Sequence, residues 1–274
     1  MPLWQAIVLG VVQGLTEFLP ISSIAHMQLV SAFCGWRAPD AAFLAVVQLI
    51  AYFAVLLYFW QDCVHITRGA LRGVSTPEGK LGWMLIAATI PIGVLGVLLR
   101  HHIETNWRTV PIIASALIAL GVVLACAEWT ERRRSQRGQP LRELNELGWR
   151  DAIVVGCWQS LALVPGASRS GSTITGGLFL GMKRDTAARF SFLMSLPAVF
   201  AAGVFELRKF RGMSHAELLN ALVAGLAAFV VGYAAVAFLL GFLRRHTTWV
   251  FIVYRLALGA ALFALLAAGK LVPQ

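Results

Sequence analysis

Charge is scarce in this sequence. Only 13% of its 274 residues are Asp, Glu, Lys or Arg, while 58% are hydrophobic. A soluble fold could not hide that much apolar surface, so the composition points to a polytopic α-helical membrane protein. Alternating strands are missing as well. The apolar runs are long and continuous, unlike the strands of a membrane barrel. The four cysteines, Cys34, Cys63, Cys126 and Cys157, form no Cys-x-x-Cys pair and no disulfide framework, and read as small core hydrophobes. The opening Met-Pro-Leu-Trp has no basic stretch before its apolar run, so the first segment is expected to stay rather than be cleaved as a signal peptide.

The charge that is present is unbalanced, with a formal net of +10. In a soluble protein that excess would suggest nucleic acid. Here the basic residues cluster in short loops between apolar segments, the pattern that orients membrane proteins, and no nucleic-acid partner is expected.

Apolar stretches cover about 3–31, 41–60, 82–99, 110–127, 152–181, 189–207, 217–243 and 249–268. Most are near the roughly 20 residues that span a bilayer. The first and fifth are longer and broken by proline, so each is either one bent helix or two short ones entering and leaving by the same side. With both re-entrant, loops 61–80, 128–151, 182–189 and 244–248 share a face carrying twice the basic residues of the other. That face is expected to be cytoplasmic, with both termini outside. Arg208, Lys209 and Arg211 fall on the wrong side of this scheme.

The two broken segments resemble each other. Gly10-Val-Val-Gln13-Gly-Leu15 matches Gly156-Cys-Trp-Gln159-Ser-Leu161, and with one gap Pro20-Ile-Ser-Ser23 matches Pro165-Gly-Ala-Ser168. The expected fold is an all-α polytopic membrane protein, an inverted-repeat helical bundle with two re-entrant broken-helix segments, a plan common among transporters. An N-terminal half (1–127) and a C-terminal half (152–274) would be joined by a charged, solvated cytoplasmic linker (128–151).

Chemistry is concentrated in the two breaks. Pro165 to Thr173 reads Pro-Gly-Ala-Ser-Arg-Ser-Gly-Ser-Thr. A lipid-facing helix gains nothing from that composition, because each polar group there needs a partner. An anion-binding loop would use it: Gly166 lets the backbone turn, Ser168, Ser170 and Thr173 add donors, and Arg169 adds a planar charged fork. Outside the loops, only Glu17 among acids and only Arg169 and Arg255 among bases lie deep in apolar segments, with His26 the comparable histidine. A charge at the bilayer centre costs roughly 2.5–3.5 kcal/mol on insertion scales, so each is a functional candidate. Gln13 and Glu17 share a helix face four residues apart and could hold a hard cation or a proton. Ser22, Ser23 and His26 follow Pro20, and a serine beside a carboxylate or histidine is a candidate nucleophile. Arg255 is expected to pair with Glu17 or to reach an interface.

These residues resemble a known family, the undecaprenyl-diphosphatases associated with bacitracin resistance. The likeness covers the chain in length and segment order. It is specific in two motifs: Gln13-Gly-Leu-Thr-Glu17-Phe-Leu-Pro-Ile-Ser-Ser-Ile-Ala-His26, and Pro165 to Thr173, which fits Pro-Gly-x-Ser-Arg-Ser-x-x-Thr throughout. Gln13 replaces a commoner Glu, and Ile24-Ala25 a commoner Thr-Gly. The resemblance implies hydrolysis of undecaprenyl diphosphate to the monophosphate in a bacterial inner membrane, recycling the cell-wall lipid carrier. It also implies a site open to the periplasm and a divalent cation, Mg2+ or Ca2+, near Glu17 and Gln13. Glu17 would be the essential carboxylate, Ser23 or His26 the nucleophile or acid/base, and Arg169 the phosphate clamp. Ser22, Gly166, Ser168, Ser170, Thr173 and Arg255 would line the substrate. The oligomeric state is left open, a homodimer included. The rival reading is a transporter that moves a polyprenyl phosphate between leaflets without cleaving it.

Overall fold

The computed structural model describes residues 1–37, 39–210 and 212–271, side chains at 104 and 204–210 excepted. Among the described residues there are twelve α-helices and no β-strand. Six helices are long and apolar enough to cross a bilayer: α3 (Ala41–Tyr58), α5 (Pro77–Leu98), α7 (Val110–Gln136), α10 (Arg184–Phe210), α11 (His215–Leu243) and α12 (Trp249–Ala267). The protein is therefore a multi-pass helical membrane protein. Local signals start several of them. Asp40 caps α3 by accepting from the Phe43 N–H, Thr76 caps α5 with Pro77 at its first position, and Ser214 and Glu217 form a capping box on α11.

Both expected breaks are present. The first segment is α1 (Leu3–Phe18) and α2 (Ser23–Phe33); the fifth is α8 (Trp149–Ser160), a short 3-10 turn at 161–163, and α9 (Arg169–Phe179). Ser22 and Ser168, each just before the second helix of its pair, have φ of 74° and 65°. They are the two non-glycine residues with positive φ among the described residues. Such a backbone is strained for an L-residue and persists only where its surroundings enforce it. The two serines are 146 residues apart, as are Gln13 and Gln159, so the repeat aligns without the gap read from the sequence. Ser23 is then the counterpart of Arg169, not of Ser168.

Packing follows the same repeat. Gly10 of α1 lies on α11, where an added Cβ would fall 2.2 Å from the Ala224 carbonyl oxygen; its counterpart Gly156 of α8 lies on α5, 2.4 Å from the Ala88 oxygen. Small residues permit this approach, which drives helix association when lipid removes the hydrophobic incentive. The contact α3–α11 likewise has a partner in α10–α5, and α7–α12 joins the halves. The contact pattern is that of two exchanged halves.

Three expectations are corrected. The stretch 61–80 is not simply a loop: α4 (Trp60–Leu71) fills its first part and packs on α5 through Gly69 and Gly79. The stretch 128–151 is not wholly a solvated linker. Helix α7 runs on to Gln136, and Glu128 and Glu131 are fully buried around Arg184 of α10, with Glu128 also accepting from the Thr248 N–H (3.1 Å) and hydroxyl (2.7 Å). The cysteines are not core residues: Cys34, Cys126 and Cys157 are exposed and Cys63 is half-buried. A helix face toward lipid can be as apolar as a core, so hydropathy does not separate the two. The side chains of Arg208, Lys209 and Arg211 lie outside the described residues.

Candidate active site

Glu17 is the penultimate residue of α1, directly before the first break, and is 8% exposed. Its carboxylate is the hub of the site. Oε2 accepts from Gln13 Nε2 at 2.9 Å and from Ser23 Oγ at 2.6 Å; Oε1 accepts from Tyr52 Oη at 2.9 Å and Gln48 Nε2 at 3.3 Å. Pro20 and the strained turn at Ser22 fold α2 back so that Ser23, its first residue, meets a carboxylate six residues earlier. The Ser23–Glu17 contact is the geometry of a hydroxyl with a base in reach.

The serine's partner is therefore Glu17, not His26. The His26 ring is engaged elsewhere, with Nδ1 2.7 Å from the Ser22 carbonyl and Nε2 2.6 Å from the Tyr254 hydroxyl. A carbonyl only accepts, so in the neutral ring Nδ1 carries the proton and Nε2 accepts from Tyr254.

Arg169 opens α9. Its three guanidinium nitrogens are buried and none has a hydrogen-bond partner in the protein. Its Cζ lies 5.0 Å from the centroid of the Tyr52 ring. Tyr52 thus touches both halves of the site, with its hydroxyl on Glu17 and its ring under Arg169. A desolvated cation–π contact stabilises by about 2 kcal/mol. Burying an unpaired ion costs several kcal/mol even after relaxation. The contact does not balance the cost, and the five N–H donors have no acceptor from the protein, the condition an anion-binding arginine would need.

Other second-loop residues build the loop rather than face a ligand. Ser168 Oγ accepts from the Gly171 N–H at 3.2 Å and contacts Ser170 Oγ, which reaches across to the Leu19 carbonyl at 3.1 Å. Thr173 is fully buried, its hydroxyl on Ser191 Oγ (2.6 Å) and the Arg169 carbonyl (2.9 Å). Gly166 has φ of 93°, and a Cβ there would fall 2.5 Å from the Ile113 oxygen.

Arg255 corrects its expectation most sharply. It neither pairs with Glu17 nor reaches an interface. It is 0% exposed, and its guanidinium donates to main-chain carbonyls of Ala167 (2.9 Å), Pro20 (3.3 Å), Leu117 (3.4 Å), Ala116 (3.4 Å) and Gly166 (3.5 Å). One fork ties both breaks to α7. With its donors so engaged, Arg255, like Thr173, holds the site together and offers the substrate nothing.

Gln48 and Tyr52 were not singled out from the sequence. The available signal was two polar groups four apart in the apolar α3, hence on one face. Tyr254, the partner of His26, directly precedes Arg255 in α12, and nothing in the sequence marks it as facing a residue 228 positions earlier.

The protein alone makes no metal cage: among the described residues no three His, Cys, Asp or Glu side chains converge. Glu17 is one carboxylate with all four donors in place. That set fits a cation only if one of those donors gives up its place on the carboxylate and substrate oxygens complete the shell, as is usual for Mg2+.

With this geometry established, the comparisons with known proteins decide the family. The family described as bacitracin resistance protein BacA matches residues 6–261. This chain belongs to that family. It is also 51% identical over 280 residues to the undecaprenyl-diphosphatase of Chlorobium phaeobacteroides (strain BS1), covering 99% of each chain. The same identity and coverage hold for the undecaprenyl-diphosphatase of Chloroherpeton thalassium. That of Prosthecochloris aestuarii is 50% identical over 279 residues, covering 98% of this chain and 99% of its own.

Proposed function

We propose that the protein is an undecaprenyl-diphosphatase, hydrolysing undecaprenyl diphosphate to undecaprenyl phosphate and phosphate and so returning a cell-wall lipid carrier to use. Full-length likeness to proteins of that name supports the substrate. The observation that carries the reaction is Ser23 Oγ held 2.6 Å from Glu17 while Arg169, over the shared Tyr52, has no partner.

In the proposed mechanism the terminal phosphate meets the Arg169 fork, which matches phosphate oxygens and stabilises charge in the transition state. Ser23 Oγ passes its proton to Glu17 and attacks the terminal phosphorus. The bond to the bridging oxygen breaks, and undecaprenyl phosphate leaves with that oxygen. Glu17 gives that proton to the departing oxygen of undecaprenyl phosphate and is free to act again: it deprotonates a water that attacks phosphoserine, and it returns this second proton to Ser23 Oγ as the Oγ–P bond breaks and phosphate leaves. His26 and Tyr254 complete the polar wall beside Ser22. A divalent cation, Mg2+ or Ca2+, would be held by Glu17 with the Gln13 amide oxygen, and would supply further neutralisation of diphosphate charge.

The proposal places the protein in the bacterial inner membrane, with the two broken segments re-entrant and the site open to the periplasm. Pairing into a homodimer is a further part of the proposal, and the mass of the detergent-extracted protein would test it. A carrier would need the anion receptor but not a hydroxyl poised on a carboxylate, which favours hydrolysis over transport. Quenching the purified protein during turnover of lipid labelled in its terminal phosphate tests this. Label on Ser23, lost in Ser23→Ala, is expected. Label on His26 would move the nucleophile, and tight lipid binding with no phosphate release would make the protein a carrier.

A further inference from the structure

A second group of arginines lies away from this site, where α7 ends and α8 begins. A cavity of about 500 Å³ is lined by Arg134, Arg142, Arg150, Asp151, Phe179 and Leu180. One of the three positive charges is neutralised. Arg142 bonds Asp151 twice, at 2.7 and 2.6 Å, and the Gly148 N–H adds a third bond to that carboxylate at 2.8 Å. Burial works against the Asp151 charge, yet these bonds hold its carboxyl below the usual range. Arg134 and Arg150 have no hydrogen-bond partner among the described residues. The cavity therefore keeps two guanidinium groups with no hydrogen-bonded counter-ion, Arg150 acting on the Asp151 carboxylate only through its charge.

The backbone around it is pinned. The Arg142 N–H donates to the Gly181 carbonyl at 2.8 Å, and the Lys183 N–H to the Arg142 carbonyl at 3.1 Å. Gly181 has φ of 81°, and a Cβ there would fall 2.2 Å from Arg134 Nη1. The missing side chain makes room for a guanidinium directed along that turn. Phe179 and Leu180 supply an apolar wall at the end of α9. Trp149, beside Arg150, is exposed, and Arg133 lies 3.6 Å over the exposed ring of Trp129. Exposed tryptophans with arginines mark the headgroup level of a bilayer.

We propose that this cavity is a binding site for a phosphate-bearing anion, an anionic phospholipid headgroup or free phosphate, held by Arg134 and Arg150 on the pinned Arg142–Asp151 pair. Unpaired arginines recognise phosphate, and basic pockets between helices take phospholipid headgroups. The Phe179–Leu180 wall suits the glycerol end of a lipid. The inference does not rest on hydrolysis, because none of these residues belongs to the Glu17–Arg169 site.

Thermal stabilisation of the full-length protein in neutral detergent tests it, with phosphatidylglycerol, phosphatidylcholine and inorganic phosphate titrated separately. Phosphatidylglycerol is expected to raise the melting temperature where phosphatidylcholine does not. R134Q/R150Q should weaken that response roughly 10- to 30-fold while leaving hydrolysis of undecaprenyl diphosphate unchanged. R132Q/R137Q removes the same charge from exposed positions outside the cavity and should respond as wild type. Arg150→Gln alone, at an exposed position, serves if the double variant does not fold, and should weaken the response about fivefold. Stabilisation by inorganic phosphate that is lost in R134Q/R150Q also supports the site and assigns it to free phosphate. An equal response to both lipids, or equal losses in the two double variants, overturns the proposal.

Discussion

The two broken helices share a backbone and differ in what they leave unsatisfied. Ser22 and Ser168 hold the same strained turn, and Arg255 grips the carbonyls of both, at Pro20 and at Gly166 and Ala167. In the first break the carboxylate of Glu17 already has four donors. In the second, the guanidinium of Arg169 has no acceptor. One copy of the motif gathers donors around a carboxylate, and the other holds a guanidinium with no partner from the protein. Under the proposed mechanism the duplicated scaffold divides the reaction: one copy would supply the attacking group, the other the charge that receives the substrate.

Removing the receptor should have the largest effect. Arg169→Ala is expected to lower kcat/KM for undecaprenyl diphosphate by about 10³–10⁵, in the range for arginines that stabilise transferring phosphoryl groups. Its melting temperature should hold or rise, since an unpaired buried charge disappears. Collapse of the fold in Arg169→Ala would turn the residue into a structural one.

Breaking the first half comes next. Glu17→Gln keeps the size of the side chain but cannot take the Ser23 proton, and a loss of about 10²–10⁴ in kcat is expected. Steady-state phosphate release measures it, and near-normal kcat would remove Glu17 as base.

Arg255→Lys tests the link between the halves. An ammonium cannot span five carbonyls, so a loss of about 3 kcal/mol in stability is expected, with lower kcat following from misplaced loops. Thermal melts with and without substrate analogue check this. A variant of normal stability that merely raises KM would return Arg255 to the substrate.

The smallest effect separates the turns themselves. Ser22→Gly should relieve about 1 kcal/mol of strain. Ser168→Gly relieves the same strain but loses the cap on Gly171, so its gain should be smaller by a few tenths of a kcal/mol. Equal shifts in melting temperature would mean that the cap contributes nothing.

Much of this arrangement was legible in the chain. Length and hydropathy gave the spans, Pro20 and Pro165-Gly166 gave the breaks, and intramembrane charge picked out Glu17 and Arg169. Other features were out of reach for stated reasons. Gln48 and Tyr52 are single polar groups in an apolar helix, and nothing local says that they face Glu17. Arg255 could be placed in the membrane, but not on carbonyls 88 and more residues away. Glu128 and Glu131 read as solvated because their partner, Arg184, lies more than fifty residues on. The one-gap alignment failed because short apolar stretches match in several registers; backbone φ fixed the right one.

The central claim is that Glu17 and Arg169 act on the same diphosphate from opposite halves of the chain. A double-mutant cycle on kcat/KM with Glu17→Gln, Arg169→Ala and the combined variant tests it most directly. Residues acting as one unit should give a double variant little worse than the poorer single one. Losses that multiply in full, as for independent distant sites, would contradict a shared site.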